Sequence, residues 1–147
     1  MSADGPMTAA AVLRIASQLV DGIQEGLERR GFDDVRPAHG FAFARISGTR
    51  ATTADLAVHL GVTKQAAAQL VDHLVGHGYL TREADPRDGR AKLLVLTERG
   101  RACTSAAEQA ATDVVHRWKA QLSPQQFAEM RDALHQIAVP GRLRPAW

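Results

Sequence analysis

The chain has 147 residues, enough for one compact domain with a real core, and 45% hydrophobic against 23% charged residues is the balance of an ordinary globular protein. The formal charge is only +2, so nucleic-acid binding has to be argued from where the basic residues sit and not from their sum. A single cysteine, Cys103, excludes an intrachain disulfide and fits a reducing cytoplasm; no apolar run approaches the roughly 18 residues of a membrane span, and Met1 to Thr8 lacks the basic-then-apolar order of a signal peptide.

From about Thr8 to Arg30, Val12, Ile15, Ala16, Leu19, Val20, Ile23 and Leu27 recur at spacings of three and four, the stripe of an amphipathic helix. Arg29, Arg30 and Gly31 are stop signals. A shorter helix starts near Arg36–Pro37, carries Phe41, Phe43 and Ile46, and ends near Ser47–Gly48. Thr52 and Thr53 are candidate N-caps for a helix through His59, with Leu56, Ala57 and Leu60 turned inward. Gly61 punctuates, and Thr63 caps the next helix, which runs to about His77 before Gly78. Tyr79 to Glu83 reads as a short strand, Asp85-Pro86-Arg87-Asp88-Gly89-Arg90 as a turn, and Lys92 to Leu96 as a second strand. Thr97 caps a helix to about Gln121, along which Ala102, Ala106, Ala110, Val114 and Trp118 lie four apart. Ser123-Pro124-Gln125-Gln126 combines a capping serine, a first-turn proline and a glutamine at the third position. The helix it starts carries Phe127, Met130, Leu134 and Ile137 and stops before Pro140. A basic tail, Arg142-Leu143-Arg144-Pro145-Ala146-Trp147, follows without a role that the sequence assigns.

The order from Thr52 to Leu96, namely helix, glycine turn, helix, strand, turn, strand, is that of a winged helix-turn-helix. On a helix of about 3.6 residues per turn, Ala66, Ala67, Leu70, Val71 and Leu74 share one face, and Lys64, Gln65, Ala68, Gln69 and Asp72 share the other. Glutamine matches the edge of adenine and lysine reaches guanine or phosphate. Ala68 is small enough for close approach or for contact with a thymine methyl. The start of the helix favours phosphate through its free N–H groups. The wing carries Arg87 and Arg90, with Arg82 before them and Lys92 after, and a narrow minor groove attracts arginine. Asp88 is placed to hold Arg90 by a charged hydrogen bond. Thr52 and Thr63, at the two helix starts, complete the candidate DNA-contacting set. The plainer reading is a solvated polar helix face and a surface turn whose ion pairs stabilise little.

Ala54-Asp55-Leu56-Ala57, Gly61-Val62-Thr63-Lys64-Gln65-Ala66, Leu70-Val71-Asp72-His73-Leu74, Gly78-Tyr79-Leu80 and, above all, Asp85-Pro86-Arg87-Asp88-Gly89-Arg90 followed by Leu96-Thr97-Glu98-Arg99-Gly100 resemble the signature of MarR-family regulators. The resemblance implies a mainly α fold with a small β-hairpin wing, as one domain over residues 1–147. Residues 8–30 and 97–139 would be dimerisation helices, and residues 36–96 the winged helix-turn-helix. It implies a homodimer that binds a pseudo-palindromic operator in double-stranded DNA, a repressor by expectation, with the arginine at Arg90 entering the minor groove. It also implies release by a small aromatic or phenolic effector, for which His39, Phe41, Phe43, Arg45 and Trp118 are the candidate residues; the plainer reading puts the phenylalanines and Trp118 in the core. Family members often carry Ser or Thr and then Arg where this chain has Ala68 and Gln69, so an operator sequence does not transfer. Apolar residues on more than one side of the first helix, Val20 beside Leu19, independently favour a dimer.

Two alternatives stay open. Some relatives sense peroxide through a cysteine in the first helix; this chain has none there, but Cys103 lies near the start of the fifth helix, where the helix dipole lowers a thiol's pKa. A small buried core residue is the competing role for it. A winged-helix protein-interaction module without DNA is the second alternative, and it would need an apolar recognition face where this chain has Lys64, Gln65 and Gln69. His73 and His77, four apart on a helix, suit two ligands of one metal, but nothing nearby completes the set, so neither metal nor cofactor is expected. The chain has no P-loop, GxSxG, HExxH or paired CxxC, which argues against an enzyme.

Overall fold

The structure, a computed structural model, describes residues 2–141, so the Arg142–Trp147 tail lies outside the described residues. The elements follow in the order α1 (Asp4–Arg29), α2 (Pro37–Gly48), α3 (Thr53–Leu60), α4 (Lys64–Gly76), β1 (Leu80–Asp85), β2 (Asp88–Leu96), α5 (Glu98–Gln121) and α6 (Pro124–Ile137). They form two compact units. A helical unit takes the residues up to Asp33 with Ala106–Ala138, and a winged-helix unit is built mainly from Asp34–Ser105.

In the helical unit, α1 begins a turn earlier than its apolar stripe implies. Ser2 Oγ accepts the Asp4 N–H at 3.2 Å, and Asp4 places an acidic side chain in the first turn, where the helix dipole favours it. Small residues bring α1 against α5. A Cβ on Gly26 would stand 2.4 Å from the Cβ of Ala110, and one on Gly22 would stand 2.5 Å from Val114 Cγ2. Arg30 locks the end of α1 by donating to Gly26 O at 2.9 Å and to Asp113 at 3.0 Å. Ala106, Ala110 and Val114 are buried at the expected spacing of four, whereas Ala102 is exposed and Cys103 takes the interior position. Ser123 and Gln126 cap α6 reciprocally, at 3.1 and 2.9 Å. No residue of α6 is buried: Leu134 is 47% and Ile137 72% exposed, and Val12, Leu13 and Ile15 of α1 are exposed as well.

In the winged-helix unit, Val35, Phe43, Leu56, Val71, Leu74, Tyr79 and Leu80 form the core. Thr52 caps α3 and Thr63 caps α4, each accepting the N–H three residues on. Gly61 ends α3 at φ 69°, a left-handed conformation that glycine adopts without strain, and so supplies the turn between the two helices. The inward face of α4 is narrower than the wheel implies. Ala67, Val71 and Leu74 are buried and Leu70 is half-buried, but Ala66 is exposed and Ala68 half-buried. The hairpin is longer than its turn chemistry implies. It pairs in register from Leu80↔Leu96 to Ala84↔Lys92, shifts between Ala84 and Asp85, and pairs Asp85 with Asp88, so Asp88, Gly89 and Arg90 lie in a strand. Two local bonds tighten the tip: Asp85 accepts the Arg87 N–H at 2.9 Å and Asp88 accepts the Arg90 N–H at 3.0 Å.

Gly26→Ala gains up to about 1 kcal/mol of helix propensity and loses about 1–3 kcal/mol to overpacking against Ala110. The net expectation is a lower urea midpoint with an unchanged slope. A raised midpoint would show that the α1–α5 approach relaxes freely.

Candidate nucleic-acid interface

The outward face of α4 presents Lys64, Gln65 and Gln69, all exposed, just past a capped helix start. Thr63 is exposed there, with its hydroxyl oxygen accepting from Ala66 N at 3.0 Å. Thr52 is half-buried and its hydroxyl is occupied: it accepts from Asp55 N at 3.2 Å and donates to Asp55 Oδ2 at 3.0 Å. The Thr52 N–H bond to the same carboxylate holds Asp55 below its ordinary pKa, against the opposing effect of burial. Thr52 therefore fixes where α3 begins.

The arginines of this region divide into two groups. Arg82 pairs with Asp72, which clips β1 to α4. Arg50 pairs with Asp85 at the base of the wing. Arg87 and Arg90 are exposed, and among the described residues their guanidinium groups have no ion-pair partner. Asp88 does not hold the Arg90 side chain as expected; its carboxylate is spent on the Arg90 backbone N–H, which closes the turn and leaves the guanidinium outside. Lys92, opposite Ala84, is also exposed.

The five effector candidates do not come together within either unit. Phe43 is core, 5.6 Å from the Tyr79 ring, and Phe41 is half-buried. Arg45 donates to Thr49 O and Oγ1 at 3.2 and 3.1 Å. His39 is buried, accepts the Arg36 N–H on Nδ1 at 2.8 Å, and stacks on His73 at 4.8 Å. Trp118 belongs to the helical unit, where it lines an apolar recess of about 850 Å³ with Leu19, Val114, Met130 and Leu134.

Cys103 is 1% exposed, and burial, with Asp34 adding to it, pushes its thiol up to about 11. Burial outweighs the helix dipole, so the thiol stays protonated at neutral pH, which opposes the redox alternative. His73 and His77 pack ring on ring at 4.0 Å, and His77 Nδ1 lies 2.7 Å from His73 O. Among the described residues no group of three His, Cys, Asp or Glu side chains is placed to hold a metal. Nor is any described helix long and apolar enough to cross a membrane.

Sequence reasoning missed Arg50, Asp34 and Arg99. Asp34 accepts a hydrogen bond from the Tyr79 hydroxyl and pairs with Arg99 at 3.5 Å. Burial pushes the Asp34 carboxyl up, but the Tyr79 hydroxyl, its own backbone and Arg99 outweigh it and hold the group below its ordinary value.

Two capped helices joined by a glycine turn and an arginine-tipped hairpin coincide with the segment that the MarR family profile matches, residues 37–91. The chain belongs to the MarR family. This is a family of transcriptional regulators that bind DNA and are not enzymes. An uncharacterized protein of Mycobacterium tuberculosis, Rv2011c, is 31% identical over 120 residues, covering 78% of this chain and 84% of its own length. The crystal structure of RV1404 from the same species matches with a TM-score of 0.78 at 23% identity, over 92% of each chain. A mutant MarR from E. coli complexed with operator DNA matches at 0.68 and 20% identity, over 95% of this chain and all of that one. At these identities the solved structures carry the MarR fold of the chain.

His39 also sets a pH dependence. Burial first, and the neighbouring His73 second, lower its pKa from 6.5 to about 4. The unfolded chain therefore takes up a proton first as the pH falls. Stability is full above 6.5 and declines by up to about 1.4 kcal/mol per pH unit towards 4. Denaturant midpoints at about pH 7 and pH 5 should differ in the wild type and differ less in His39→Asn. An equal drop in both would assign the dependence to other groups.

Proposed function

We propose that this MarR-family protein binds a pseudo-palindromic operator as a homodimer in the cytoplasm and represses transcription by occupying it. The observation that carries the reading is the exposed Lys64, Gln65 and Gln69 on a capped α4 beside the unpaired Arg87 and Arg90 of the wing. Two α4 helices would enter successive major grooves about 10–10.5 base pairs apart. Gln65 and Gln69 would read base edges, and Lys64, Thr63 and Lys92 would serve phosphate or guanine. Arg87 and Arg90 would probe the flanking minor grooves. Arg82, tied to Asp72, fits a clip better than a base reader. The operator complex of the MarR relative supports the same use of the fold.

The uncovered apolar residues of the helical unit support the dimer. Val12, Leu13 and Ile15 on α1 and Leu134 and Ile137 on α6 are exposed in one chain. A second copy that covers them removes this surface from water, at about 25 cal/mol per Å² buried. A small aromatic or phenolic effector would enter the Trp118 recess beside Leu19, Val114 and Met130, and Val12, Ile15 and Leu134, which also line it, belong to the surface that the second copy would meet. Binding there would favour a helix spacing that no longer matches the operator.

Arg90→Ala should weaken operator binding about tenfold and lower the salt slope, with sequence preference kept. Gln65→Ala should alter sequence preference instead. Wild-type behaviour of both variants in fluorescence anisotropy would remove the assigned roles. Leu134→Glu should turn the dimer into a folded monomer in sedimentation velocity and abolish tight binding. A Leu134→Glu dimer would contradict the interface.

A further inference from the structure

The wing is held at its base by two neighbouring residues of the segment between α2 and α3. Ala51 O accepts the Leu94 N–H at 2.8 Å, which ties β2 to that segment. One residue earlier, Arg50 Nη2 donates to Asp85 Oδ2. Asp85 ends β1 and is only 7% exposed; its other oxygen accepts the Arg87 N–H at 2.9 Å. A carboxylate this buried needs partners on both oxygens, and it has them. The ladder shifts register between Ala84 and Asp85, so regular strand pairing stops where the tip begins and does not by itself fix the tip's direction. Asp85 stands at that break, joined on one side to Arg50 and on the other to the backbone that leads into Arg87 and Arg90.

We infer that Arg50 and Asp85 are positioning residues for DNA recognition: their ion pair aims the wing so that Arg87 and Arg90 meet the minor groove. This rests on the DNA-binding reading above. The rival role for Arg50 is a direct phosphate contact, since its side chain is 43% exposed. The two roles separate at Asp85. If Arg50 served phosphate, neutralising Asp85 would free it and keep or strengthen binding. If the pair aims the wing, neutralising Asp85 weakens binding as much as losing Arg50 does.

The test uses the full chain and a duplex enriched by the wild type from a randomised pool. Asp85→Asn, Arg50→Gln and the double variant are compared in the wild-type and Arg90→Ala backgrounds. Each single variant should bind about tenfold more weakly, the loss expected from one misplaced wing arginine. The double variant should be no weaker than either single one, and each change should cost less once Arg90 is gone, because Arg87 is then the one wing arginine left to misplace. Hydroxyl-radical footprints should lose protection at the flanking minor grooves, while guanine N7 protection from methylation at the centre stays. A general loss of fold would remove both protections together. If Asp85→Asn does not fold, Arg50→Gln carries the test in the two backgrounds: a loss that shrinks once Arg90 is gone supports the aiming role, and a loss of the same size there, as from a missing phosphate contact, overturns it. Wild-type affinity and flank protection in Asp85→Asn and Arg50→Gln overturn the inference. So does a loss in Arg50→Gln that Asp85→Asn does not share. Wild-type affinity in Arg90→Ala is a different failure: it removes the wing reading, and this inference with it.

Discussion

Tyr79 is the residue through which the winged-helix unit holds its parts in register. Its N–H donates to Leu74 O at 2.9 Å and closes α4, and its carbonyl accepts the Thr97 N–H at 3.0 Å where α5 begins. Its ring is fully buried against Phe43, with the Arg99 guanidinium 4.6 Å over its face. Its hydroxyl donates to Asp34, ahead of α2. Burial, reinforced by Asp34, pushes that hydroxyl up to about 12, so it remains a donor at every physiological pH. The end of α4, the start of the wing and the start of α5 are thereby fixed by one side chain and its own backbone. That is the condition for α4 and the hairpin to serve as one surface in the proposed DNA complex.

Charge is distributed by the same logic. The formal charge of +2 is too small for a general attraction to nucleic acid. What the chain offers is local. Arg30, Arg50, Arg82 and Arg99 are paired with carboxylates, while Arg87 and Arg90 stand in solvent at the wing. Partly exposed ion pairs contribute little to stability, on the order of 0–1 kcal/mol. Their effect is on geometry: Asp72–Arg82 joins α4 to β1 and Arg50–Asp85 joins the segment before α3 to the end of β1, and Arg87 and Arg90 are left as the charge that the proposed interface would use.

The starts of α3, α4 and α6 were legible in the sequence because capping is local. Thr52, Thr63 and Ser123 each sit three residues before the N–H they accept, so the signal and its partner share one turn. The core faces of α3 and α5 were legible from periodicity, as Leu56, Ala57, Leu60, Ala106, Ala110 and Val114 show. The outward set Lys64, Gln65 and Gln69 was legible as exposed for the same reason, and Arg87 and Arg90 from the turn chemistry around them. Contacts between distant segments were not. Asp34 with Tyr79 and Arg50 with Asp85 lie 45 and 35 residues apart, and no spacing rule connects them. Cys103 fails in the same way: its place near a helix start is a local fact, whereas the burial that raises its pKa comes from the whole unit. The close approach of α1 to α5 at Gly22 and Gly26 was not read from the sequence, although small residues four apart were the available sign of it.

The most direct test is to select bound duplexes from a randomised pool with the purified chain and to measure the enriched site at two salt concentrations. The account predicts a near-palindrome with half-sites about 10–10.5 base pairs apart, bound by two chains, with affinity that falls steeply as salt rises. A folded, dimeric protein that enriches no sequence even at low salt would contradict it and leave the polar face of α4 to a protein partner.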